Sequence, residues 1–248
     1  MRDPFWMRER RSRAPLRFAA TALALAVLTS PFAAPEEKGD KDAEVIATVN
    51  GEPVTRSEWA EIWKADQWYA PTLKTKFEEE MAGRPYEDYF FKEEVVKIRG
   101  MSQKYAAALP QMKEAIDAAY QKLKAGTDFA QVAKEHSQEE GSAVKGGALG
   151  EKQFHELVFP FNRVAFKLAE GSFSEPVLTI FGYHLIKVDH VIPPTEGKGK
   201  MIGVRHILVR FPSPDARREA EALAGTAQVK VLDKKLCKKL VSYCTDAS

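Results

Sequence analysis

Apolar and polar positions alternate through VIATVNGEPVT (45–55) on either side of Asn50-Gly51, a dipeptide that favours a two-residue hairpin turn, so a β-hairpin is expected there. Thr55 and Glu58 then have capping-box spacing, which predicts a helix opening SEWAEIW. Aromatic residues crowd the next stretch: Trp59, Trp63, Trp68, Tyr69, Phe77, Tyr86, Tyr89, Phe90 and Phe91 suit either a small helical core or the lining of a groove. Helical periodicity returns in 110–125, where Met112, Ile116, Ala119, Tyr120 and Leu123 share one face. Gly126 stops that helix and Asp128 caps the next. A glycine turn at Gly146-Gly147 follows, then a helix from Pro160 to Leu168 with Phe161, Val164, Ala165 and Leu168 inward. Two short strands after Gly171 end near residue 190, a linker covers 191–203, and 204–248 holds the apolar run VRHILVRF and a helical stretch at 215–224. Strands and helices mixed at such short intervals predict an α+β fold.

The first 34 residues break this pattern. Six arginines precede the apolar run FAATALALAVLTSPFAA (18–34), which Pro31 interrupts and which is shorter than a bilayer span of about twenty residues. Residues 1–34 therefore read as a signal peptide or, if uncleaved, an N-terminal anchor, and residues 35–44 as a charged flexible spacer. The protein is expected to be exported, to the periplasm, with membrane attachment only through an uncleaved leader. The leader also accounts for the formal charge of +2; the remainder is nearly neutral and has no electrostatic footprint for nucleic acid. Nucleophile elbows, phosphate-binding loops and metal-ligand clusters are missing from the sequence, which argues against a hydrolase, a nucleotide-binding enzyme or a metal cofactor. No cofactor is expected.

Five short motifs occur in order over 126–188: Phe129 with Ala133; Ser137; Gly146-Gly147-Leu149-Gly150; Gly171-Ser174-Pro176-Val177; and Thr179-Gly182-Tyr183-His184. Their order and spacing resemble the parvulin-type (PpiC, rotamase) peptidyl-prolyl cis–trans isomerases. The segment VNGEPVTRSEW is similar to the opening of the N-terminal region in exported foldases of the SurA and PrsA type. The resemblance implies a four-stranded antiparallel sheet surrounded by helices over about 95–190, preceded by a small, mainly helical region at 45–94. It also implies rotation of X–Pro bonds in unfolded, exported client proteins.

Rotating such a bond breaks no covalent bond. It demands an apolar seat for the proline ring and polar groups that favour the twisted amide over the planar one. By the resemblance, Leu149, Leu157, Phe161 and Phe181 bind the substrate, His184 is an active-site histidine, Thr179 its hydroxyl partner, and Glu139 the acidic group near the rotating amide, with Glu140 as a substitute. At helical spacing the same apolar residues also suit a plain core.

The family's first strand, which carries a second histidine, is expected at 95–103, with Gly100 at the histidine position. That implies an incomplete histidine pair and reduced activity, which Gly100→His should restore. A fuller copy of the same strand motif stands at 204–210, with His206. It reads either as the start of an unfinished second module or as a replacement strand placing His206 beside His184. A non-catalytic chaperone that uses the fold to grip extended chains is the competing function. Cys237 and Cys244 would lie about 10 Å apart on one continuous helix, so a disulfide requires that helix to break; free thiols are the alternative.

Overall fold

The structure is a computed structural model that describes residues 41–67, 85–195 and 199–244, all within the unit Lys38–Ser248. The leader 1–34, the spacer up to residue 40, and Trp68, Tyr69 and Phe77 lie outside the described residues.

The hairpin forms where the alternation placed it. Strands β1 (Val45–Val49) and β2 (Glu52–Thr55) pair antiparallel across Asn50 and Gly51, whose φ values of 49° and 85° are the left-handed geometry such a turn requires. Thr55 Oγ1 accepts the Glu58 N–H at 3.2 Å and starts α1 (Arg56–Gln67). A second helical run begins with α2 (Tyr86–Phe90), passes through a π-helical segment (Phe91–Val96) and continues as α3 (Lys97–Lys104). The aromatic residues of this region pack inward: Trp59, Phe90 and Phe91 are buried, with Trp59 edge-on to Phe91 and Phe90 edge-on to Phe159.

The remaining helices surround one sheet. Helix α4 (Leu109–Lys124) buries Met112, Ile116, Ala119 and Leu123, as its periodicity predicts. Asp128 accepts the Gln131 N–H and caps α5 (Phe129–His136), and α6 (Glu140–Ala143) is a single turn. Then come β3 (Ala148–Gln153), α7 (Phe161–Ala165), β4 (Val177–Thr179), β5 (Gly182–Ile192) and β6 (Met201–Arg210). The antiparallel order is β3-β6-β5-β4, so the fold is α+β with a four-stranded sheet and helices around it. Helix α8 (Ala216–Thr226), β7 (Val229–Val231) and α9 (Lys234–Cys237) close the chain, and β7 pairs with β1 to make a second sheet of three strands, β2-β1-β7.

Two expectations fail here. Residues 95–103 are not a strand but the end of the π-helical segment and most of α3. Val95, Val96 and Met101 are buried from a helix, and Gly100 faces α8, where an added Cβ would lie 3.1 Å from Leu223 Cβ. Gly100 is thus a helix-packing glycine and does not occupy a histidine position. The strand slot belongs to 201–210, whose apolar run can be buried on both faces of the sheet, whereas K-I-R-G-M-S-Q-K has no such run. For the same reason β6 does not open a second module: it lies inside the one sheet, hydrogen-bonded to β3 and β5.

Cys237 and Cys244 form a disulfide with their Cα atoms 5.6 Å apart. Helix α9 ends at Cys237, and the following turns bring Cys244 back, which is the break that a bridge requires.

Glycines at two motif positions make room for β6. Gly147 has φ +81°, and a Cβ there would lie 2.3 Å from the His206 carbonyl oxygen; Gly182 has φ +135°, and a Cβ would lie 2.2 Å from the Val209 carbonyl oxygen. Gly147→Ala combines left-handed strain with a backbone collision and should lower unfolding free energy by more than about 2 kcal/mol. Urea denaturation checks this; an unchanged midpoint would contradict the packing described.

Candidate active site

Register brings the two histidines together. On the β5–β6 ladder, His184 pairs with Leu208 and Ile186 with His206, so the histidines are diagonal neighbours on one face of the sheet. Their Nδ1 atoms are 3.2 Å apart and their rings are stacked, with centroids at 5.4 Å. Both side chains are buried, at 3% and 4% exposure. A buried imidazole must find partners for both ring nitrogens, and each outer nitrogen here has one. His184 Nε2 lies 2.9 Å from Thr179 Oγ1, and His206 Nε2 lies 2.7 Å from Glu139 Oε2 and 3.0 Å from Ser142 Oγ.

One assignment of protons satisfies every nitrogen of this row. The hydrogen bond from His206, then that from Ser142, holds the Glu139 carboxyl down to about 2 against the opposing effect of burial. Glu139 is therefore ionised at neutral pH and accepts from Ser142 Oγ at 2.7 Å and from His206 Nε2–H. Burial, reinforced by the neighbouring His206, holds His184 well below the ordinary histidine range, so it is neutral. In a neutral pair, with Nε2–H on His206, its Nδ1 accepts from His184 Nδ1–H. His184 Nε2 then accepts from the Thr179 hydroxyl, whose oxygen accepts the Phe181 N–H at 3.0 Å. In that assignment every donor in the row points toward the carboxylate, an arrangement in which each bond polarises the next.

An apolar wall stands against this row. Phe161, on α7, presents its ring edge-on to both imidazoles, with centroids 5.2 Å from His184 and 6.0 Å from His206. With Leu149, Leu157, Val158 and Leu208 it lines a cleft of about 290 Å³ whose polar floor is His184, His206 and Glu139. Phe181 lines the same cleft, and Thr179, fully buried, stands behind His184. The residues singled out from the sequence, His184, Thr179, Glu139, Leu149, Leu157, Phe161 and Phe181, thus gather in one place. Glu139, rather than Glu140, reaches the histidine row. Ser142 joins them with no sequence signal beyond its place three residues after Glu139. His206 was signalled by VRHILVRF.

The four-stranded sheet carries a buried histidine pair beside an apolar cleft, and residues 97–190 match the family described as Rotamase, PPIC-type PPIASE domain. The matched span ends before β6, so His206 lies outside it. Among relatives, the chain is similar to the foldase protein PrsA 4 of Bacillus cereus, 37% identical over 119 residues, covering 47% of this chain and 42% of that protein. It is also similar to the foldase protein PrsA of Geobacillus kaustophilus, 49% identical over 67 residues and covering 27% and 24% of the two chains. The chaperone SurA of Methylococcus capsulatus is 46% identical over 67 residues, covering 27% and 15%. The chain thus spans less than half the length of the curated relatives it matches. A solved structure titled as peptidylprolyl isomerase (PrsA) from Bacillus anthracis aligns over 76% of this chain and 87% of that one at 20% identity, but its TM-score of 0.26 marks only a distant likeness.

The pKa directions set a pH dependence. His184 binds a proton less readily folded than unfolded, so stability is present above pH 6.5 and is lost as pH falls below it. Glu139 adds a further loss as pH falls from the ordinary carboxylate value toward about 2. Urea midpoints measured between pH 7 and 5 should fall for the native protein and fall less for His184→Gln. Equal slopes for the two proteins would count against a buried neutral His184.

Proposed function

We propose that this protein is a peptidyl-prolyl cis–trans isomerase, a foldase acting on X–Pro bonds of unfolded or partly folded exported proteins. The observation that carries the reading is the complete histidine pair, anchored by Thr179 and Glu139 and facing an apolar cleft. In this reading the proline ring seats against Leu149, Leu157 and Phe161, with Phe181 at the cleft's edge. Gripping the ring fixes one side of the amide while the other turns. The twisted amide loses its resonance, so its carbonyl and nitrogen present a charge distribution different from that of the planar ground state. The ordered row from Thr179 to the Glu139 carboxylate is a fixed dipole array that can discriminate between the two. No nucleophile or cofactor enters. His184, Thr179 and Glu139, joined by His206, are the residues assigned to catalysis. The catalytic unit then extends past residue 190 to include β6.

Reduced activity, expected from Gly100, loses its basis because Gly100 belongs to the α3–α8 packing and His206 fills the role of the second histidine. An incomplete histidine pair and an aromatic groove at 59–91 would favour the non-catalytic chaperone reading. The described aromatics of that region are instead wholly or partly buried in the core. Export to the periplasm remains part of the proposal. It rests on the leader at 1–34 as the sequence presents it, while the relatives' names, foldase and chaperone, support a role on client proteins.

A proline-peptide isomerisation assay tests the reading. The full chain should accelerate cis–trans exchange, His206→Ala should lower kcat/KM at least about tenfold by unpairing buried His184, and Phe161→Ala should raise KM. Gly100→His should give no gain in rate and should lose about 1–3 kcal/mol of stability through its collision with Leu223. No acceleration by the folded native chain would overturn the proposal.

A further inference from the structure

One buried amide joins two walls of the cleft. Leu157 and Val158 come from the connection that follows a 3-10 turn (Phe154–Glu156), and Phe161 comes from α7. Asn162 stands next to Phe161 with no exposed surface. Its Nδ2 donates to the Leu157 carbonyl at 3.2 Å and to the Phe154 carbonyl at 3.4 Å, and its backbone N–H donates to the Val158 carbonyl at 3.0 Å. One residue thus holds three carbonyls of the segment that carries one wall, from the helix that carries the other.

The neighbours of this amide fix its orientation. Carbonyls only accept, so the nitrogen faces Phe154 and Leu157; the Arg163 N–H only donates, so the oxygen faces it, at 2.7 Å. Neither near-isostere can do the same. Aspartate would set a buried carboxylate against two carbonyls, and leucine would offer neither carbonyl a donor. Apolar burial alone fixes this wall poorly, because Phe154 is buried but Leu157 and Val158 are only partly so. The directional bonds from Asn162 therefore decide where Leu157 stands. Helix α7 itself is anchored, since Arg163 reaches Glu94 of the π-helical segment at 2.8 Å.

We propose that Asn162 is a positioning residue for the substrate: by clamping Phe154 and Leu157 to α7, it sets the separation of Leu157 from Phe161 and so the fit of the proline ring. This rests on the isomerase reading for its substrate and adds a residue that determines ring specificity. The hydrogen bonds of Asn162 go to backbone groups of residues 154–163 rather than to the histidine row. Its loss therefore acts on capture of the ring and leaves the polar row in place.

The test uses the full chain, the variant Asn162→Leu, and Met112→Ala as an equally structural truncation on the other face of the sheet. Two fluorescent peptides that differ only in carrying proline or alanine at one position are bound by anisotropy, and the proline peptide is also assayed for isomerisation. In Asn162→Leu, KM and Kd for the proline peptide should rise at least about threefold, with kcat kept within about twofold and Kd for the alanine peptide unchanged. Met112→Ala should leave all four quantities unchanged. Asn162→Ser keeps one donor and serves if the leucine variant does not fold; its KM and Kd should rise in the same sense. If neither folds, the native Asn162 side-chain amide protons, followed by NMR, should exchange slowly and shift on titration with the proline peptide; no shift overturns the proposal. If nothing is isomerised yet the native preference for proline over alanine is lost in the variant, the isomerase reading fails and the positioning role stands. If isomerisation is present and Asn162→Leu moves KM and Kd no more than Met112→Ala, or lowers kcat alone, the positioning role is overturned and the isomerase reading stands. A native chain that neither isomerises nor prefers the proline peptide overturns both.

Discussion

Everything at the site depends on the pairing of β5 with β6. These strands run antiparallel from Gly182 against Arg210 to Ile192 against Met201. Because side chains alternate faces, a slip of one residue would turn His206 to the opposite face and bring Arg205 or Ile207 to the side facing Phe161. Register is held from both sides. One face of the ladder buries Leu185, Ile207 and Val209 under α4 and α5; the other buries Ile186, Val188, Ile202 and Val204 with the aromatic core of α2 and the π-helical segment. Gly147 and Gly182 then admit the β6 backbone at distances no side chain would allow.

The N-terminal region is therefore part of the support for the site. Phe90 and Phe91 share a core with Phe159, Phe161, Ile186 and Val188, and Arg163 on α7 reaches Glu94 of the π-helical segment at 2.8 Å. Helix α7 carries Phe161, so the ring facing both imidazoles is held from behind by residues some seventy positions earlier in the chain. The C-terminal segment contributes in the same way. β7 joins β1, and Ser242 N–H donates to Asp88 at 2.8 Å. Both ends of the described chain converge on the core beneath the cleft.

Much of this was legible in the residues. Asn50-Gly51, the α4 periodicity, the Asp128 cap and the glycine turn each record a local constraint, and local constraints can be read locally. The cleft residues were legible through their motif spacing. What failed was assigning the strand to one of two copies of a motif. Val-Lys-Ile-Arg at 96–99 suits a short strand or a helix turn equally, and only the competition for a slot buried on both faces decides between them. VRHILVR wins that competition because nearly every residue of it can be buried. Gly100 misled for a related reason: a glycine is silent about which neighbour it makes room for, and here that neighbour is Leu223, more than a hundred residues away.

The order of strands along the chain matters less to such a site than their order in space. His206 comes after His184 in sequence, where the family pattern has its first-strand histidine well before. Yet the hydrogen-bond row from Thr179 to Glu139 is indifferent to connectivity, because it needs only two diagonal positions on one ladder and two anchors at its ends. The entropic cost of the arrangement is also small. Ile192 leads to Met201 through a short connection, and closing so short a loop costs little compared with bringing a strand back from the start of the domain. Placing the second histidine on the immediately following strand therefore makes the pair a product of a single hairpin.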